Sequence, residues 1–236
     1  FTIDDVHVNP DVTAFTNVDN TNCAGATPNG SITITQMNGG ADPIADFTYE
    51  WFEGNGVAVT LGTTVGSVAG ANGEIAQELP AGTYTVRITD NTSPGLACQT
   101  IATFDIIDNP PVIAIDQAHI DLTHQADCAP ADGLAEVTNI IVDGVATGSV
   151  AGYTFNWFES DGTTPVAGAL DGATIAVFIP AGDYFVQAVN TASNCLSPIA
   201  PFTIDDVHVN PDVTAFTNVD NTNCTGATPN GSITIT

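Results

Sequence analysis

FTYEWFEGNG, Phe47 to Gly56, places large apolar side chains at alternate positions, Phe47, Tyr49 and Trp51, and then breaks into Gly-Asn-Gly. Successive side chains of a strand point to opposite faces, so the three rings share one face and predict a core-facing strand over Asp46–Glu53. Gly54 to Gly56 supplies the positive φ values that a tight connection needs. The phrase returns as YTFNWFESDG, Tyr153 to Gly162, with Tyr153, Phe155 and Trp157 as the matching stripe. Both stripes read as core, each with the buried tryptophan of a two-sheet sandwich, in preference to a sugar-stacking platform. Phe52 and Phe158 fall on the other face and are expected to be exposed or to meet a neighbouring module.

Further landmarks repeat on either side. LPAGTYTVRITD, Leu79 to Asp90, matches IPAGDYFVQAVN, Ile179 to Asn190; FDIID, Phe104 to Asp108, matches FTIDD, Phe202 to Asp206; Cys23 and Cys98 match Cys128 and Cys195. Pro80-Ala81-Gly82 and Pro180-Ala181-Gly182 read as turns. In the first unit strands are expected at Val12–Asp19, Gly30–Met37, Asp46–Glu53, Thr83–Thr89 and Cys98–Ile107, with one or two brief ones between Val57 and Gln77. The second unit is expected to open at Val112–Gln117 and to continue through Gly133–Val142, Tyr153–Glu159, Thr174–Ile179 and Cys195–Asp206. Within Thr174–Ile179, alternation puts Ile175, Val177 and Ile179 on one face. Roughly seven strands in about 100 residues, with turns at regular intervals, describe an Ig-like sandwich.

A longer period encloses this one. Phe1 to Thr35 returns at Phe202 to Thr236 with an offset of 201 residues, identical at 34 of 35 positions, the exception being Ala24 against Thr225. The predicted fold class is therefore all-β, tandem Ig-like sandwiches in a head-to-tail array. Residues 1–9 are expected to be the last strand of a preceding module, 10–109 module A, 110–209 module B, and 210–236 the start of the next copy of module A. Asn109-Pro110-Pro111 and Asn210-Pro211-Asp212 are short linkers stiffened by proline. The end pieces cannot bury a core alone, so a neighbouring chain segment or an identical chain is expected to complete them. Together with the absence of a signal segment before Phe1, this suggests a window from inside a longer secreted chain.

Charge bounds the partners. The chain has one basic residue, Arg87, no lysine, 27 carboxylates and a formal net charge of -26. A phosphate backbone needs Lys or Arg to neutralise it, so nucleic acid and anionic lipid surfaces are not expected as partners, and the absence of lysine excludes a Lys-to-Asn isopeptide crosslink. No apolar run approaches the roughly 20 residues of a membrane span, so no membrane insertion is expected. The acidity reads as solubility and mutual repulsion of an exposed polymer.

Five cysteines without metal-type spacing point to disulfides and an oxidising compartment. Pairing within each module, Cys23 with Cys98 and Cys128 with Cys195, would limit the unfolded chain by roughly 4 kcal/mol apiece. The alternatives are a bridge from Cys98 to Cys128 across the linker, or free thiols. Cys224 is expected to find its partner beyond Thr236.

One unit reads Asn22-Cys23, Asn29-Gly30-Ser31-Ile32-Thr33-Ile34-Thr35, Gly39-Gly40, Tyr49-Glu50-Trp51, Leu79-Pro80-Ala81-Gly82-Thr83-Tyr84-Thr85-Val86, Thr89-Asp90 and Cys98. This series resembles the SprB-type repeat of the very long surface adhesins of gliding bacteria of the Bacteroidetes group, exported by the type IX secretion system. The resemblance covers most of residues 20–108 and, less well, 126–206, where the Gly-Gly is absent. The AGTYTV element is also similar to PKD and other Ig-like surface modules. What the resemblance implies is a secreted, cell-surface array used in adhesion or gliding motility, as a stalk or fibre, with no catalytic residues. The composition also fits a subunit of a self-assembled extracellular filament, or a carbohydrate-binding accessory module that meets surface glycans.

Calcium is the ion such a chain could hold, because it takes carboxylate and amide oxygens. Asp4, Asp5, Asn9 and Asp11 cluster at one junction, and Asp105, Asp108 and Asn109 at the other, without EF-hand or nonapeptide spacing. His119 and His124 are five apart, which on a strand points them to opposite faces and disfavours a shared metal. There is no G-x-S-x-G elbow, and no Ser, His and Asp grouping recurs in both modules; no enzymatic activity is expected.

Overall fold

The computed structural model describes residues 9–63, 65–92, 98–167 and 174–236. The strands of the first unit are β1 Val12–Val18, β2 Gly30–Met37, β3 Phe47–Glu53, β4 Val59–Thr60, β5 Ser67–Ala69, β6 Ile75–Leu79, β7 Gly82–Asp90 and β8 Gln99–Ile106. They form two antiparallel four-stranded sheets in the orders β1-β2-β6-β5 and β4-β3-β7-β8. Ile32, Ile34, Ala76 and Leu79 from one sheet and Phe47, Tyr49, Trp51, Val86 and Ile106 from the other share one buried cluster. A two-sheet sandwich is what such alternating faces produce when each must hide one side from water.

The second unit continues with β9 Ile113–Ala114, β10 Ile120–Thr123, β11 Gly133–Val137, β12 Ile141–Val142, β13 Val145–Ala146, β14 Tyr153–Phe158, β15 Ile175–Ile179, β16 Gly182–Asn190 and β17 Ala200–Ile204. Sheets β10-β11-β15 and β14-β16-β17 enclose a second cluster around Phe155, Trp157, Ile179 and Val186, and β13-β12-β9 forms a small third sheet. The strand opening the second sandwich is β10; the expected opener at Val112–Gln117 yields only the two residues of β9, which pair with β12. Its alternation is satisfied in the small sheet rather than beside β11.

Registers coincide between the two units. Trp51 faces Val86 and Trp157 faces Val186; Gly82 faces Ile106 and Gly182 faces Ile204. The first strand of each closes on the last in parallel, through Asn20 with Asp108 and Gln125 with Asp206. The hydroxyls of Tyr84 and Tyr184 donate to the carbonyls of Pro80 and Pro180, at 2.8 and 2.9 Å.

The expected exposure of Phe52 is overturned. It is 5% exposed, because β4 pairs alongside it and the Arg87 guanidinium lies 5.3 Å over its ring. Phe158 is half-buried. After β17 the chain forms one more hairpin, β18 Phe216–Val219 with β19 Ser232–Ile235. Among the described residues no helix is long and apolar enough to cross a membrane.

Candidate intermodule joint

Each sandwich has an entry end and an exit end, and backbone pairing assigns every loop to one of them. In the first, Val12 faces Met37 and Phe47 faces Asp90 at the entry end, whereas Gly30 faces Leu79 and Gly82 faces Ile106 at the exit end. The loop from Asn20 to Asn29, with Cys23, therefore lies at the exit end. In the second, Ile120 faces Val137 and Tyr153 faces Asn190 at the entry end, which places the Asn190–Cys195 turn there.

These two loops meet. Cys23 is disulfide-bonded to Cys195, 172 residues away in sequence. The Cys23 amide donates to the Ser193 carbonyl at 2.8 Å, and Asn194 Nδ2 donates to the Ala24 carbonyl at 2.8 Å. Cys195 is buried and Cys23 packs against the second hydrophobic cluster. An open cleft of about 600 Å³ runs beside the bond, lined by Thr21, Asn29, Pro110, Pro111, Asn190 and Ser193.

The bond corrects the expected pairing. Cys23 cannot bond Cys98, nor Cys128 bond Cys195, because the members of each pair sit at opposite ends of one sandwich. Cys98 and Cys128 also lie apart, at the entry end of the first sandwich and the exit end of the second, so the bridge across the linker is equally excluded. Cys98, Cys128 and Cys224 are free thiols.

The loop that carries Cys23 is built by asparagines. Asn20 Oδ1 accepts from the amides of Asn22 and Asn29, Asn29 Oδ1 accepts from the Thr21 amide at 2.8 Å, and Asn22 Nδ2 donates to the Thr27 carbonyl. In the second unit Asp132 plays the part of Asn29, accepting from the amides of Ala126 and Asp127 at 2.8 and 3.1 Å. Those two donors hold its carboxyl below the usual carboxylate range. The Asn-rich composition signalled a polar loop; that it is a preformed connector was not readable until its partner was known.

The described calcium candidates fall at the two ends of the first sandwich. Asp4 and Asp5 lie outside the described residues. Asn9 and Asp11 are at the entry end, where Asp11 donates its amide to Asn38 Oδ1. Asp105 accepts from the Thr83 hydroxyl, and Asp108 from Asn20 Nδ2, at the exit end. Among the described residues no three of His, Cys, Asp and Glu gather as metal ligands. His119 lies beside Asp116 and Asn139, while His124 accepts from the Asp205 amide. Arg87 is paired across β3 and β7 with Glu50 at 2.6 Å.

No protein-family model matches the chain, so the SprB-type resemblance rests on its sequence landmarks. No curated protein matches either. Among solved structures, the chain is similar to one described as a biofilm associated protein, BSP domain, with 20% identity and a TM-score of 0.22. The similarity covers 84% of this chain and 29% of that one, so the chain spans under a third of its length.

Proposed function

We propose that this chain is a piece of an extracellular structural and adhesive protein, a head-to-tail array of Ig-like sandwiches that supplies reach from a bacterial surface. The observation that carries the reading is the Cys23–Cys195 bond, which ties the exit end of one sandwich to the entry end of the next. A bond in that place limits bending between units and does nothing for a reaction. The sheet orders β1-β2-β6-β5 and β4-β3-β7-β8 correspond to the A-B-E-D and C′-C-F-G orders of the Ig fold, and Tyr84 and Tyr184 resemble its tyrosine corner. A structural cystine supports an oxidising, extracellular setting.

The partners in this reading are neighbouring repeats of the same chain or identical chains. A glycan-binding accessory role is less favoured, because the aromatic stripes that would stack on a sugar are inside the sandwiches.

Small-angle X-ray scattering tests the arrangement. The nine-residue strand β7 spans about 30 Å at roughly 3.3 Å per residue. Two units end to end therefore give a distance distribution with a shoulder beyond one sandwich length, broadened on reduction. A single compact peak from the oxidised protein would overturn the reading.

A further inference from the structure

The bond between Cys23 and Cys195 joins positions 172 apart in sequence and so closes a covalent ring over residues 24–194. Among the described strands of the two sandwiches, every one from β2 to β16 lies inside that ring, and only β1 and β17 lie outside it. Most of both cores is inside too, including Phe47, Trp51, Phe155 and Trp157.

The two strands outside the ring each run from an entry end to an exit end. β1 goes from Val12, facing Met37 at the entry end of the first sandwich, to Val18, facing Ser31 towards its exit end. Cys23 follows at that exit end, and its partner Cys195 stands at the entry end of the second sandwich. From Cys195 the chain runs beside β16: the Ser197 amide donates to the Ala188 carbonyl at 2.8 Å, Ala200 faces Val186, and Ile204 faces Gly182 at the exit end. One covalent line, made of β1, the cystine and β17, therefore crosses both sandwiches from end to end.

We propose that this line carries tension along the array and that the cystine keeps the rest of both sandwiches out of the load. A pull applied before Val12 and after Ile204 finds its shortest covalent route through the bond, so residues 24–194 hang from the line as an unloaded ring. This holds whatever chain lies beyond either end. A strand already rises about 3.3 Å per residue against a limit of roughly 3.6 Å, so β1 and β17 have little slack to give. Without the bond the load would pass through every strand and turn in series, and each sandwich would resist it only through its own packing. The inference rests on the head-to-tail reading above, and it gives that array a second property, fixed length under pull.

The full chain is stretched in an optical trap through peptide tags joined enzymatically at Phe1 and Thr236, which leaves the thiols untouched. The oxidised chain should stretch with no stepwise unfolding of either sandwich. Its final length should fall short of that of the reduced chain by roughly 600 Å, the 172 residue spacings that the bond bypasses at about 3.5 Å each. With reductant the sandwiches should unfold in steps, and Cys195→Ser should match the reduced chain under both conditions. Val186→Ala truncates a buried side chain inside the ring. It should lower the force at which the second sandwich unfolds in the reduced chain and leave the oxidised curve unchanged. Stepwise lengthening of the oxidised wild type, or an oxidised curve weakened by Val186→Ala, would overturn the proposal. The two readings fail separately: a compact scattering profile from the unloaded oxidised chain removes the head-to-tail arrangement, whereas a final length indifferent to reductant removes the tension line even if the profile is elongated.

Discussion

Gly30 and Gly133 show how much one hydrogen atom decides. A Cβ on Gly30 would lie 2.4 Å from the Leu79 carbonyl oxygen and 2.8 Å from Ile106 Cγ2; on Gly133 it would lie 2.3 Å from the Ile179 oxygen and 2.9 Å from Ile204 Cγ2. Each glycine opens a strand where the opposite strand bulges at a residue with positive φ, Glu78 at 59° or Phe178 at 58°. Backbone cannot retreat as a flexible side chain can, so Gly133→Ala should cost about 1–3 kcal/mol. It should lower the urea midpoint without changing the slope; an unchanged midpoint would show that the bulge yields. Phe178 is 71% exposed and gains nothing from burial. A left-handed conformation costs a bulky residue roughly 1–2 kcal/mol, so Phe178→Asn should leave the melting temperature unchanged or raised. This bulge is also where the sequence misled. Alternation placed Ile175, Val177 and Ile179 on one face, whereas the buried pair is Ala176 and Ile179, because the extra residue shifts the phase and no composition rule marks Phe178 for it.

Elements tell the same story through the repeated hairpin. β18 pairs with β19 in the register of β1 with β2, Phe216 facing Ile235 as Phe15 faces Ile34. Ile32 and Ile34 are 0% and 1% exposed, but their copies Ile233 and Ile235 are 75% and 68% exposed. An isolated two-stranded hairpin is marginal in water. Hydrogen exchange by mass spectrometry should therefore show β2 amides protected to near the global unfolding free energy and β19 amides exchanging close to the unfolded rate. Peptides are distinguished by Ala24 against Thr225, and equal protection would mean that the hairpin finds partners in solution. The pairing was legible in the sequence, since period-two alternation specifies the strand and the polar Asn loop the turn. Burial was not, because it depends on whether β6 and the facing sheet are present. The opener of the second sandwich was missed for a related reason: only Ile120 of β10 is buried, leaving no apolar stripe to read.

At the scale of the molecule, the repeat makes the correspondence between the two sandwiches legible, and the cysteine pairing does not follow from it. Matching landmarks shows which cysteines are equivalent, and equivalence places Cys23 and Cys128 at the same end of their respective sandwiches without naming what each touches. Only the strand directions reveal that bonds must run from exit end to entry end. The titrating groups set the pH limits of the fold. The Asp161 carboxyl is held down to about 2, chiefly by the Thr164 hydroxyl and amide, and Asp132 and Asp206 are lowered by backbone amides and by His208 respectively. Lowered carboxylates stabilise the fold above their unfolded value of about 3.9, and that contribution is lost as pH falls through the folded values. Burial pushes the Tyr49 and Tyr84 hydroxyls up to about 12. Their contribution is complete below about pH 10 and is lost as pH rises through about 12, because the unfolded chain ionises first. The urea midpoint plotted against pH should therefore be flat between these limits, fall below about 4 and fall again above about 10. On the alkaline side Tyr84→Phe should flatten the fall, and the tyrosinate absorbance that Tyr84 contributes should appear together with unfolding. Ionisation of Tyr84 near pH 10 in a chain that stays folded would show that its hydroxyl is open to water and that the Pro80 hydrogen bond does not persist.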